Sequence, residues 1–207
     1  MARKYDSSRR EEAAQKTRET IIRAAVELHG LGVTDYESLA EKANVAVATV
    51  RKHFPTREQL FESCTSLAMH EAPLPDLEEL GSIADPADRL CRAVSCTFAM
   101  YESMLGQIWT GLMNERDSAV LRRLNAEEHA FLDQITDVVL QAWAQLPAPA
   151  AEARGYLRGL LSYLTYRALR HDGSLSPEQT TERITEALLS YFEDLELREG
   201  RKEAASA

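Results

Sequence analysis

Apolar residues recur at intervals of three, four and seven along almost the whole chain, the spacing of one buried face on an α-helix. No stretch alternates apolar and polar residues between hairpin turns, so strands are not expected and the fold class predicted is all-α. From about Arg10 to His29, Ala14, Ile21, Ile22, Ala25 and Leu28 share one face, and Gly30 and Gly32 stop the helix. Thr34 and Glu37 read as a capping box that opens a short helix to about Ala43. Asn44 tolerates the left-handed backbone of a tight turn. A second short helix covers about Val47–His53 and ends at Phe54-Pro55, because proline disfavours helix in the residue before it. Thr56 and Gln59 form another capping box, with a helix to about His70.

Pro73 and Pro75 break the pattern, and the stretch from Ala72 to Asp85 reads as loops with room for one short helix. Asp85 followed by Pro86 is a helix start, and a long helix is expected to about Leu112. A kink or restart at Asn114 to Asp117 precedes another long helix to about Gln145. Pro147-Ala148-Pro149 reads as a linker, and a helix from about Ala150 to His171 follows. Ser176-Pro177-Glu178-Gln179 opens the last helix, to about Arg198, with Gly200–Ala207 frayed.

The 207 residues are 44% apolar and 28% charged, enough to bury a core without disulfide or metal staples. No apolar run approaches the roughly 18 residues that cross a bilayer, and the polar start does not read as a signal peptide. Cys64, Cys91 and Cys96 have no paired ligand spacing and read as reduced thiols of a cytoplasmic protein. The net charge of -9 argues against nucleic acid until its distribution is seen. Residues 1–62 hold eleven Lys/Arg against ten Asp/Glu, and the remainder thirteen against twenty-three. This asymmetry predicts two parts, a head at 1–62 and an acidic body at 63–207. Arg3, Lys4, Arg9, Arg10, Lys16 and Arg18 crowd the start, as a solvated tail or a DNA-binding arm.

Enzyme chemistry is not found. His70-Glu71 lacks the second His of a zinc protease, and Glu127-Glu128-His129 lacks the Glu-x-x-His spacing of a di-iron bundle. Gly30 and Gly32 follow a helix, not the strand of a dinucleotide site. No cofactor and no metal are expected.

Helices shorter than about 12 residues are marginal alone, so the two at 34–53 must pack on the first helix through Leu39, Ala40, Ala43, Val45, Val50 and Phe54. That is the form of a helix-turn-helix. Its second helix presents Val47, Ala48, Thr49, Arg51, Lys52 and His53, and such a helix fits the major groove of DNA. Arg51 has the fork to pair with a guanine; Thr49 and Ala48 suit a thymine methyl or a phosphate; Lys52 and His53 suit phosphates. The N–H groups at the helix start near Thr34 also suit a phosphate. A plain three-helix core with a polar outer face has the same pattern.

The run Thr17–Leu28, then Leu39-Ala40, Ala43-Asn44-Val45 and Thr49–Leu60, resembles the N-terminal DNA-binding domain of TetR-type regulators. The most specific part is Thr49-x-x-x-His53-Phe54-Pro55. The resemblance covers about residues 15–62. It implies a helical body with a small-molecule pocket, a homodimer formed through the last two helices, a palindromic operator in double-stranded DNA, and release by an effector. A repressor is implied by analogy. A TetR-like activator without an effector, or a helical protein-interaction module, remains the alternative. Asn44 stands where the family usually has Gly, Ala46 where it has the Ser or Thr that caps the recognition helix, and Arg51 where it often has a Tyr that meets the DNA backbone. Base or phosphate therefore stays open for Arg51. The turn Gly30–Val33 is a residue or two short of the family pattern.

The last two helices carry stripes, Leu157, Leu160, Leu161, Leu164 and Ala168 on one, and Ile184, Ala187, Leu188, Tyr191, Phe192 and Leu195 on the other. They pack either inside one chain or as a four-helix interface between two copies; the resemblance tips the reading to the dimer. Phe98, Met100, Tyr101, Met104, Trp109 and Met113 lie on one middle stretch, and His129, Phe131 and Trp143 on another. Tyr163, Tyr166 and Arg167 face them from a third. As a group these large, adaptable residues suit a cavity for an unidentified effector; singly, each is equally core.

Overall fold

The computed structural model describes residues 2–143 and 150–206, with side chains at 8–143, 151–198 and 201. The expected Pro147–Pro149 linker and the side chains of Arg3 and Lys4 lie outside these. The described chain is all-α, with eleven α-helices and no strand. It divides into two compact units, Met1–Ala72 with Met104–Asn125, and Pro73–Ser103 with Ala126–Ala207. The head expected at 1–62 thus continues to Ala72 and takes in a segment from the middle of the chain.

In the first unit, α1 spans Ala2–Gly30, α2 Tyr36–Lys42, α3 Val47–His53, α4 Arg57–Glu71 and α7 Leu105–Asn114, with a single 3-10 turn at Glu115–Asp117. Helix α1 begins near residue 2, not near Arg10, so the backbone of the basic start is helical. Along α1, residues 8–16 are exposed, Ala14 included, which corrects its place on the buried face. Straight-chain residues with good helix propensity hold it, helped by the Gln15–Glu19 hydrogen bond of 2.8 Å.

The end of α1 is a Schellman motif. Val33 N–H bonds to Leu28 O and Gly32 N–H to His29 O, with Gly32 at φ +80, a conformation L side chains resist. The same pattern closes α2: Val45 N–H reaches Ala40 O, Asn44 N–H reaches Glu41 O, and Asn44 takes φ +53. The turn expected at Asn44 is therefore present. Thr34 is not the cap of α2. Asp35 is, accepting from Ser38 N at 2.7 Å and Ser38 Oγ at 2.9 Å, because the short Gly30–Val33 turn leaves Thr34 one residue before the helix entry. These bonds hold the Asp35 carboxyl below its usual pKa. Ala46 gives α3 no side-chain cap, as its methyl dictates, and Thr56 caps α4 by accepting from Gln59 N at 3.3 Å.

One core joins these helices: Ile21, Ala24 and Ala25 of α1, Tyr36, Leu39 and Ala40 of α2, Val50 and Phe54 of and after α3, Leu60 and Cys64 of α4. Helix α7 comes against the end of α1 so closely that a Cβ on Gly106 would stand 1.8 Å from Gly30 O. There Thr110 Oγ1 donates to His29 O at 2.6 Å, a second bond to the carbonyl that already accepts from Gly32 N–H. This contact explains why the long helix expected to Leu112 instead breaks at Met104, whose backbone leaves the helical region.

The second unit contains α5 (Leu77–Ser82), α6 (Pro86–Ser103), α9 (Ala150–Leu160), α10 (Tyr163–Arg167) and α11 (Pro177–Ser206). Helix α8 (Ala119–Leu140) is shared by the two units and is followed by a 3-10 turn at Gln141–Trp143. The helix expected over Ala150–His171 is interrupted. Ser162 is extended and caps α10 by accepting from Thr165 N, and a π-turn follows at Ala168–Asp172. Ser176 and Gln179 cap α11 reciprocally, Gln179 N–H to Ser176 Oγ at 3.2 Å and Ser176 N–H to Gln179 Oε1 at 2.9 Å. The backbone of α11 stays helical to Ser206, where fraying was expected.

Arg89 of α6 is buried without a carboxylate. Its guanidinium donates to Ile83 O (2.7 and 2.9 Å), Gly81 O (3.1 Å) and Val138 O (3.0 Å), closing the end of α5 and holding it to α8. Removing it takes away the four hydrogen bonds that this charged group gives to three carbonyls. Arg89→Ala is expected to lower unfolding stability by about 3 kcal/mol, seen as a lower urea midpoint at unchanged slope. An unchanged midpoint would mean that water replaces the guanidinium.

Candidate nucleic-acid interface

Helix α3 turns two faces in two directions. Val50 is fully buried, and Phe54, just after the helix, is buried with it. Ala48, Arg51 and Lys52 are exposed; Val47, Thr49 and His53 are half-buried. Of the six side chains expected to face DNA, Val47 packs partly against the core and the other five lie off it, on one short helix whose inner side is locked. Its last turn is basic, with Arg51, Lys52 and His53, and the Arg51 and Lys52 charges suit the negative end of the helix dipole.

The surroundings of α3 are braced by Tyr36 and Arg57, which the sequence did not single out, and by Arg18 and Thr34, which it did. Tyr36 OH donates to Phe54 O at 3.0 Å, tying the start of α2 to the end of α3. Burial raises the pKa of that phenol, so it stays protonated and able to donate. Arg51 lies over the Tyr36 ring, 4.9 Å from its centroid. Arg18 lies over Phe54 at 4.3 Å and donates to Ser63 Oγ at 2.9 Å and His53 O at 3.4 Å. Thr34 is half-buried, and its Oγ1 accepts from Arg57 Nη2 at 3.0 Å. Two open clefts flank Pro55. One, of about 400 Å³, is lined by Thr34, Tyr36, Arg51 and Arg57; the other, of about 500 Å³, by Arg18, Lys52 and His53 together with Glu58 and Glu62. Arg9 and Arg10 are exposed on the first turns of α1. The legible trace of Arg57 was a cation at the first position of a helix, where the dipole disfavours it. The role of Tyr36 had no local trace, since its partners lie 15 and 18 residues on.

Glu58 is held toward the middle segment, accepting from Ser118 Oγ at 2.7 Å and Val120 N at 3.1 Å; Glu62 pairs with Arg123. With the Gly30–Gly106 approach, these bonds make residues 104–125 part of the same unit as α3.

The fold of the first unit is that of a helix-turn-helix domain, and the comparisons with solved structures agree. A transcriptional regulator from Rhodococcus sp. Rha1 aligns over 83% of this chain and 93% of its own, with TM-score 0.59 at 18% identity. A TetR-family transcriptional regulator from Streptomyces coelicolor aligns over 92% and 89%, with TM-score 0.56 at 17% identity. NalD, the secondary repressor of the MexAB-OprM multidrug efflux pump in Pseudomonas aeruginosa, aligns over 86% and 96%, with TM-score 0.56 at 21% identity. The chain has the TetR-family fold. These neighbours are transcriptional regulators, not enzymes. No protein-family model and no curated protein sequence matches. No described helix is long and apolar enough to cross a membrane.

The residues expected around an effector are dispersed. Met104, Trp109 and Met113 belong to the first unit, and Met113 is 59% exposed. His129 is exposed beside Glu128, 3.6 Å away. Met113 and His129 are thus each open to water within their own units. In the second unit Met100, Tyr101, Tyr163 and Tyr166 are buried, and Arg167 is half-buried. Trp143 is buried too, stacked on Phe192 at 4.3 Å with its indole N–H on Glu196. Phe98, Tyr101, Tyr163 and Tyr166 form one ring cluster, with Tyr101 OH donating to Glu128 (2.7 Å) and Tyr166 OH to Glu102 (2.6 Å). Arg170 also holds Glu102, and this contact depresses the Glu102 pKa.

The proposed dimer stripe needs correction. Leu157, Leu161, Ile184, Leu188, Phe192 and Leu195 are all buried within the single chain, so they have no area left for a second copy. Of the same stripes, Leu164, at 60%, and Ala168 are exposed, and Leu160, Ala187 and Tyr191 are half-buried.

His29 records how tightly the first unit closes. Buried between α4 and α7, its Nδ1 shares a 3.2 Å hydrogen bond with Cys64 Sγ. Burial, then the nearby Arg57 charge, lowers its pKa from 6.5 to about 4, and burial pushes the Cys64 thiol up to about 12. In the unfolded chain His29 binds a proton at 6.5, in the folded chain only near 4, so stability is full above 6.5 and is lost as pH falls toward 4. Urea unfolding of wild type should lose about 3 kcal/mol more over that interval than His29→Gln does. Parallel pH profiles would refute the buried neutral imidazole.

Proposed function

We propose that the chain is a TetR-type transcriptional regulator that binds a palindromic DNA operator as a homodimer. The observation that carries this is α3 itself, a seven-residue helix with a locked inner face and Ala48, Arg51 and Lys52 presented to solvent on a TetR-family fold. Val47, Ala48, Thr49, Arg51, Lys52 and His53 meet the major groove and its phosphates. Arg9 and Arg10, continuing into the start of α1, add sequence-independent attraction to the DNA backbone. The protein acts in the cytoplasm, as its DNA target requires.

Fragments selected by the protein from random double-stranded DNA should share a palindrome, and scrambled duplex should compete poorly at equal salt. Recovery of unrelated sequences would remove the DNA reading and favour a protein-docking module.

Dimerisation uses the outward side of the carboxyl-terminal helices. Tyr156 of α9 stacks on Tyr191 of α11 at 4.4 Å and is exposed, Leu164 and Leu197 are exposed, and Gly155 and Gly159 face open space. Leu164→Glu should convert a dimer to monomer in light scattering while leaving thermal stability of the monomer unit largely intact. A variant that stays dimeric would place the interface elsewhere.

Release from DNA follows effector binding at the ring cluster of the second unit. Phe98, Tyr101 and Tyr166 fill the space they line, so an effector displaces them, and the Glu102 and Glu128 carboxylates favour a ligand with hydrogen-bond donors. The fold provides the connection in sequence, because α8 runs through residue 125, where the chain passes from the first unit to the second. A coupling of about 1–3 kcal/mol changes operator occupancy 5–150-fold. A repressor is the mode this favours.

A further inference from the structure

The face that α3 turns away from its core is apolar and small at its centre. Val50 and Phe54 are fully buried, and residues four apart share a helix face, so Ala48 and Lys52 stand opposite the core with Thr49 and Arg51 on the flanks. Exposure matches that placement: Ala48, Arg51 and Lys52 are exposed, and Thr49 is half-buried. Val47 packs partly on the core, and Ala46, exposed just before the helix, has only a methyl group. Of residues 46–49, Thr49 alone has a side chain that can form hydrogen bonds.

The longer side chains do not supply the missing polar readers. Arg51 lies back over the Tyr36 ring, 4.9 Å from its centroid, toward the start of α2. Lys52 is a point charge on a rotatable stem, which attracts any acceptor. A methyl-sized side chain such as Ala48 lets the helix backbone come close to the surface it meets, and in the major groove that surface is a base edge. Against Ala48 the donors of cytosine and adenine and the acceptors of guanine lose water and gain no partner, which weakens binding. Thymine presents a methyl group to the same groove, and that group gains from apolar contact. Thr49 brings a second methyl on the neighbouring flank. The Arg51 and Lys52 charges beside this apolar centre complement the phosphates that border a groove.

We infer that Ala48 and Thr49 read the operator through thymine methyl groups, so that each half-site carries thymine opposite them and apolar contact, rather than hydrogen bonds to base edges, carries the specificity of this chain. The inference rests on the DNA-binding reading and deepens it by naming the chemistry of the bases that are read.

The test uses the full-length protein and the duplex that wild type selects from random DNA, with affinity measured by fluorescence anisotropy across a salt series. Deoxyuridine lacks only the 5-methyl of thymidine, and it replaces each thymine of one half-site in turn. At one or two positions affinity should fall about fourfold, the equivalent of about 0.8 kcal/mol for one buried methyl. The slope of log affinity against log salt should stay as it is, because no phosphate contact is lost. Ala48→Ser sets a hydroxyl against one of those methyls and should bind the thymine and deoxyuridine duplexes equally at that position. Thr49→Ser should lose the thymine preference at the neighbouring position, whereas Thr49→Val, which keeps the methyl and removes the hydroxyl, should retain it. Selected half-sites without thymine, deoxyuridine tolerated at every position, a thymine preference that survives in both Ala48→Ser and Thr49→Ser, or its loss in Thr49→Val would overturn the methyl reading while leaving DNA binding in place. Failure of wild type to select any sequence would overturn the DNA reading and the methyl reading with it.

Discussion

Helices α2 and α3 are seven residues each, too short to persist in water, and they exist because Val50 and Phe54 are withdrawn completely from solvent against α1, α2 and α4. Every property of the outer face of α3 follows from that burial. With the inner side locked, the exposed side chains keep fixed directions, and a cation such as Arg51 can rest on Tyr36 instead of sampling solvent. The Tyr36 hydroxyl on Phe54 O ties the same core to the turn after α3, so the aromatic brace and the apolar anchor are one piece.

The end of α1 is the second constraint. Helix ends leave carbonyls open; here a Schellman turn at Gly32 takes them up, and the Thr110 hydroxyl adds a second bond at His29 O. Thr110 reaches His29 only because Gly106 lets α7 approach the backbone of Gly30. A segment remote in sequence is thereby built into the unit that carries α3. Glu58, bonded to Ser118 and Val120, adds a polar tie from α4 to that segment.

Much of the first unit was legible because its signals are local. Asn44 at the turn, Phe54-Pro55 at the end of α3 and the Thr56 cap depend on residues a few positions apart, and each is where the pattern placed it. Errors arose where a local signal had a rival. Asp35 outcompeted Thr34 as a cap because the preceding turn is short, and Ser162 interrupted a helix that periodicity alone would have continued. The stripe containing Leu157, Leu161 and Leu188 was correctly apolar, but an apolar stripe records burial without naming the partner, and here the partner is the same chain.

By itself the sequence determined the helical class, the order of the short helices and the identity of the residues that α3 turns outward, since these follow from spacing, caps and turn chemistry within a few residues. Only the tertiary structure decided that Tyr36 supports Arg51, that Arg57 shares its cleft, that residues 104–125 join the amino-terminal unit, and that the buried leucines of α9 and α11 serve one chain. Each of those depends on contacts between residues far apart along the chain, and periodicity carries information about which face is apolar but none about what comes to cover it.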